Sequence, residues 1–126
     1  MSDNSKKTII LACSGAADVG ALADRTARAL AKNGKGSMFC LAAVGAGIES
    51  KMKDFMNADE IIAIDGCSVG CARTTVTKAG RTAVAFDLTK IGYVKGQTPV
   101  SDDVVFEAST RLSEQLDGSQ TGRSCC

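Results

Sequence analysis

The sequence contains no histidine and no tryptophan, a single tyrosine and a single proline. Without histidine there is no His-ligated metal site, and no Ser–His or Cys–His catalytic pair can form. With only four phenylalanines beside the one tyrosine, a stacking platform for single-stranded nucleic acid is not expected. The formal net charge is +1, which argues against a nucleic-acid footprint or an acidic tail. The longest early apolar run, Thr8 to Ala12, is too short for a membrane span or the core of a signal peptide, and the residues before it are polar. The expectation is a cytoplasmic chain with neither a membrane nor a nucleic-acid partner.

What the sequence does have is cysteine, six residues in 126. In a reducing cytoplasm six cysteines are not a disulfide framework. They are metal ligands, reactive thiols or small core residues. Where they fall is therefore the informative question.

The hydrophobic pattern predicts strands at Thr8 to Ala12, Ser37 to Cys40, Glu60 to Asp65 and Thr82 to Asp87. Helical spacing follows each of the first three. Asp18 is expected to cap a helix through Leu30 that ends at Gly34, and Ile48, Met52 and Phe55 mark one face of a second. Val69, Ala72, Val76 and Ala79 mark a third, closed by Gly80. Ala43 to Gly47 reads as a glycine-rich loop, and Leu88 to Pro99 as an irregular connection. Ser101 is expected to cap a last helix, with Asp102 and Asp103 at its positive end. Alternating strands and helices imply a three-layer α/β domain. Its four-stranded, mostly parallel sheet would carry helices on both faces, in the Rossmann-like or flavodoxin-like manner. Residues 1–118 are expected to form this single domain, and 119–126 a disordered tail ending in Cys125 and Cys126.

Ligands of open parallel sheets bind beyond the carboxyl ends of the strands. Cys13 follows the first strand, Cys40 ends the second, Cys67 follows the third, and Cys71 lies one turn further on. Neighbouring strands are about 4.8 Å apart, so three adjacent strand ends span roughly 10 Å. Zn–S bonds of about 2.3 Å at the tips of cysteine side chains can bridge most of that distance. Four thiolates suit zinc first and an iron–sulfur cluster second, since both accept tetrahedral sulfur ligation. A full set of four points to a structural or sensing site, whereas three plus water would leave a position for catalysis.

Two other readings compete. Cys67-Ser68-Val69-Gly70-Cys71-Ala72-Arg73-Thr74 fits Cys-x5-Arg-Thr, which resembles the oxyanion loop of cysteine phosphatases and arsenate reductases. There Cys67 would be the nucleophile and Arg73 the clamp on the anion. The third reading is an adaptor protein whose cysteines merely fill the core. Asp65 is expected either to accept loop N–H groups and so orient the site, or to replace one cysteine as a ligand. Ser14 is expected among the orienting residues beside it.

The run Ile61-Ile62-Ala63-Ile64-Asp65-Gly66-Cys67, followed by Cys71-Ala72-Arg73, resembles the DGC domain family. So do Ala12-Cys13-Ser14-Gly15 and Cys40-Leu41-Ala42-Ala43-Val44-Gly45-Ala46-Gly47-Ile48. The resemblance covers roughly residues 8 to 95. It implies a small prokaryotic zinc-binding protein with four cysteine ligands, here Cys13, Cys40, Cys67 and Cys71. Cys125 and Cys126 lie outside it.

Overall fold

The computed structural model describes residues 6–13 and 15–125, with side chains through residue 118. Ser14 and Cys126, and the side chain of Cys125, lie outside the described residues. In chain order the elements are β1 (Thr8–Ala12), α1 (Asp18–Lys32), β2 (Ser37–Met38), α2 (Leu41–Ala46) and α3 (Glu49–Asn57). Then come β3 (Glu60–Asp65), α4 (Cys71–Lys78), β4 (Val84–Asp87), a 3-10 turn at Leu88–Ile91 and α5 (Asp102–Cys125). Among the described residues no helix is long and apolar enough to cross a membrane.

The four strands form one parallel sheet in the order β2-β1-β3-β4. The central pair is in register, with Ile9 opposite Ile61 and Ile10 opposite Ile62. Strands covered on both faces read as continuous apolar runs, and β1 and β3 do. Alternate side chains divide the core in two. Ile10, Ile62 and Ile64 pack with Leu22 and Leu30 of α1 and Leu112 of α5. Ile9, Leu11 and Ile61 pack on the opposite face with Val44 of α2, Phe55 of α3 and Val76 of α4. The result is a three-layer α/β fold.

Local chemistry accounts for several boundaries. The Ser101 hydroxyl accepts from the Val104 N–H at 3.3 Å, capping α5. Asp18 lies in the first turn of α1, after the N-cap Ala17. Its carboxylate accepts from Val19, Gly96 and Thr98 N–H groups, which fastens the loop after β4 onto the start of α1. These donors, Gly96 foremost, hold Asp18 below its ordinary pKa.

Several boundaries differ from the sequence expectation: β4, expected from Thr82, starts at Val84, and Ala17 rather than Asp18 stands at the N-cap of α1. β2 is only Ser37–Met38, although the Phe39 N–H still reaches Ile10 at 2.9 Å. The presumed glycine-rich loop is instead helix α2, closed by Gly47 at φ 70°. Its alanines favour helix, and burial of Val44 outweighs the cost of Gly45. α4 starts at Cys71, not near Val69, because Gly70 is left-handed at φ 69° and breaks the helical path; Val69 is left 65% exposed. Finally, α5 is helical beyond Gly118, where the sequence places the end of the ordered chain.

Candidate metal centre at the strand ends

The sheet order creates a switch point. From β1 the chain crosses to β2 over one face through α1, and from β3 it crosses to β4 over the other through α4. The two connections part company between β1 and β3, and a crevice opens at their carboxyl ends. Cys13 stands just past β1 and Asp65-Gly66-Cys67 at the end of β3. Cys40 occupies the N-cap of α2 and Cys71 the first position of α4. All four thiols are free; Cys13 and Cys67 are half-buried, Cys40 and Cys71 exposed.

The contact at the centre of the crevice is a hydrogen bond from the Gly66 N–H to the Cys13 sulfur, at 3.3 Å. The backbone N–H of Cys13 in turn reaches the Ile64 carbonyl at 3.1 Å, extending the β1–β3 ladder by one step. Burial pushes the Cys13 thiol pKa up from its ordinary value, and the Gly66 N–H acts in the opposite sense. Smaller upward pushes come from Asp65, Cys71 and Cys67. Cys40 meets Cys13 elsewhere. Both line a cavity of about 690 Å³ beyond β1 and β2, together with Asp24, Arg28 and Phe39.

Gly66 has a steric reason to be glycine. A Cβ there would lie 2.4 Å from the Val19 carbonyl carbon and oxygen and 2.7 Å from the Gly20 nitrogen. The loop after β3 therefore passes directly over the backbone of α1. Asp65 is buried, and its carboxylate accepts from the N–H groups of Ala72 at 2.6 Å and Arg73 at 3.0 Å. A carboxylate so placed satisfies two orphan donors at the start of α4 and complements the helix dipole. Between these anchors, Gly70 donates to the Cys67 carbonyl at 3.2 Å and closes the turn.

The structure places Cys13 just past β1, Asp65 and Cys67 at the end of the adjacent β3, Cys71 at the start of α4 and Cys40 beyond β2; Cys13 and Cys40 line one cavity, Asp65 and Cys67 another. As the side chains stand, no group of three or more His, Cys, Asp or Glu residues is close enough to hold a metal ion among the described residues. Cys67 and Arg73 share a separate cavity of about 340 Å³ with Asp65, Asp87 and Lys90. Sequence spacing gave no hint of Lys90. It follows β4, and only the pairing of β4 with β3 carries it to the Cys67 loop.

A family model described as the DGC domain matches residues 9–116. That span includes Cys13, Cys40, Asp65, Gly66, Cys67, Cys71 and Arg73, and ends before Cys125. No curated protein and no solved structure matches the chain.

Proposed function

The chain belongs to the DGC domain family, and from that premise we propose that it is a metal-binding protein whose ion, zinc, is held by Cys13, Cys40, Cys67 and Cys71. The observation that carries this reading is the hydrogen bond from Gly66 to the Cys13 sulfur, which ties the end of β1 to the loop that carries Cys67 and leads to Cys71. An N–H directed at sulfur stabilises a metal-bound thiolate and orients it. The donor set fits a soft, tetrahedral ion: four free thiols and no imidazole.

Binding requires the sulfurs to converge further than they do in the free side chains. Cys40 and Cys71 are exposed, so rotation about their side-chain bonds meets little packing resistance. Cys13 would release its proton to solvent on binding, the ion taking the proton's place on the sulfur. Asp65 would not ligate; its two hydrogen bonds hold the loop that presents Cys67 and Cys71. Zinc bound by four thiolates has no open position, which favours a structural or sensing role.

The test is elemental analysis of protein purified under reducing conditions without added metal, repeated on single Cys→Ser variants. The expected result is equimolar zinc, lost or sharply reduced on substitution of any of the four cysteines. Metal-free wild-type protein, or full zinc content in both Cys13→Ser and Cys40→Ser, would sink the proposal. A visible charge-transfer band would change the ion to an iron–sulfur centre and keep the site.

The shared cavity of Cys67 and Arg73 keeps the thiol-dependent phosphatase or arsenate reductase reading in play. Against it, the Ala72 and Arg73 N–H groups that would cradle an oxyanion already bind Asp65. Turnover of a phosphate ester abolished in Cys67→Ser, but not in Cys40→Ser, would favour that reading.

A further inference from the structure

The cavity beside Cys67 has a charge arrangement that metal binding does not use. Its wall carries two carboxylates, Asp65 and Asp87, and two cations, Arg73 and Lys90. Both carboxylates are engaged with their own backbone. Asp65 accepts from Ala72 and Arg73 N–H groups, and one oxygen of Asp87 accepts from the Thr89 N–H at 2.9 Å and its hydroxyl at 2.6 Å. Among the described residues neither Arg73 nor Lys90 enters an ion pair.

Arg73 lies close against its own loop. A Cβ built on Gly70 would fall 2.4 Å from its Nη2 atom, so the guanidinium lies folded over the loop backbone. Gly70 accommodates it through its lack of a side chain and its left-handed φ of 69°. Among the described residues, the guanidinium laid on a glycine, the Lys90 ammonium and the Ser68 hydroxyl that line this cavity form a set of donors with no acceptor of their own.

We propose that this cavity binds a tetrahedral dianion, with Arg73 clamping two of its oxygens and Lys90 supplying the second charge. A planar guanidinium fork matches such a group, and an ammonium adds a point charge. The volume of about 340 Å³ falls within the range of organic-ligand pockets, roughly 300–1,000 Å³. The phosphate monoester of a small metabolite therefore suits it better than a bare ion. The site goes beyond the metal reading; Cys67 and Asp65 belong to both surroundings, but neither would ligate the anion, so either reading can fail alone.

Amide NMR titration of reduced protein tests this, with inorganic phosphate in one arm and glycerol 3-phosphate in the other. Saturable shifts confined to residues 66–73 and 87–90 are expected below about 10 mM ligand, where even a millimolar site is mostly filled. Arg73→Gln should weaken binding by roughly tenfold or more, and Lys90→Gln by a few-fold. Lys53→Gln, exposed on α3, should change nothing. Tighter binding of the ester identifies the ligand as organic; equal binding identifies the free oxyanion. No saturable shift with either ligand, or unchanged affinity in Arg73→Gln, would overturn the proposal. Arg73 and Lys90 are exposed, and their variants are checked for an unchanged spectrum elsewhere. A Cys13→Ser protein that loses metal yet still binds phosphate would separate the two sites.

Discussion

The backbone N–H of Gly66 donates to the sulfur of Cys13 at 3.3 Å, across the switch point between β1 and β3. The contact joins two loops more than fifty residues apart in sequence, and it depends on the loop after β3 lying flat against the start of α1. Gly66 makes that approach possible, and Asp65 fixes the far side of the same loop to α4.

Gly66→Ala should test the approach. The new Cβ would meet backbone atoms of Val19 and Gly20 at 2.4 to 2.7 Å, and backbone cannot swing aside as a side-chain tip can. Overpacking of this kind costs about 1–3 kcal/mol, here at the upper end. A fall in Tm of roughly 10 °C is expected in a thermal melt of the metal-free protein. A Tm within a degree or two of wild type would show that the two backbones separate easily.

Asp65→Ala should be destabilising because it leaves the Ala72 and Arg73 N–H groups without their acceptor at a part-buried helix start. Loss of the cap and the unsatisfied donors together predict about 2–3 kcal/mol in urea unfolding. Asp65→Asn keeps one acceptor and should lose roughly half as much. If Asp65 instead ligated the metal, both variants would lose metal alike while the stability of the metal-free protein stayed unchanged.

Thiol alkylation should follow burial. In metal-free protein at neutral pH, Cys40 and Cys71 are exposed and should be modified first. Cys13 is half-buried and its pKa is raised, chiefly by burial, so its thiolate is scarce and its labelling slow. A thiol pKa raised in the folded state adds stability below the unfolded value of 9.0, and that stability is lost as pH climbs through the folded value. Site-resolved mass spectrometry of a labelling time course reads the order. Rapid labelling of Cys13 ahead of Cys40 would contradict it.

The single tyrosine provides an independent probe, since the chain has no tryptophan to obscure it. Tyr93 is buried, and its hydroxyl donates to Glu107 at 2.7 Å. Burial first, and then the Glu107 carboxylate, push its pKa from 10.0 up to about 12. The neutral phenol therefore stabilises the fold below pH 10, and this contribution disappears as the pH passes through about 12. Phenolate absorbance should rise late in native protein and move toward the ordinary value in Glu107→Gln. Titration of the native protein at the ordinary value would mean that the loop carrying Tyr93 is open in solution.

Much of this architecture was legible along the chain. β1 and β3 have the predicted bounds, because a run such as Ile61-Ile62-Ala63-Ile64 between polar residues has few other ways to bury itself. Ser101 was legible as a cap because its bond to Val104 is local. The glycine-rich stretch at 43–47 does not announce a helix, since what holds α2 is Val44 in a core built by β1, β3 and α3. The late start of α4 was hidden for a similar reason. Gly70 takes a left-handed turn that tucks Arg73 over it, and a glycine in a sequence does not announce the sign of its φ.

The sequence by itself determined the alternation of strand and helix and the placing of four cysteines at or just past strand ends, because periodicity and turn chemistry act over a few residues. Only the tertiary structure decided which of those ends are neighbours. The order β2-β1-β3-β4 put Cys13 between Cys40 and Cys67 and turned Gly66 toward its sulfur. The same order brought Lys90 from beyond β4 to the cavity that Arg73 also lines. Strand order is set by how the crossovers pack on the two faces of the sheet, a long-range balance of burial that no local spacing records.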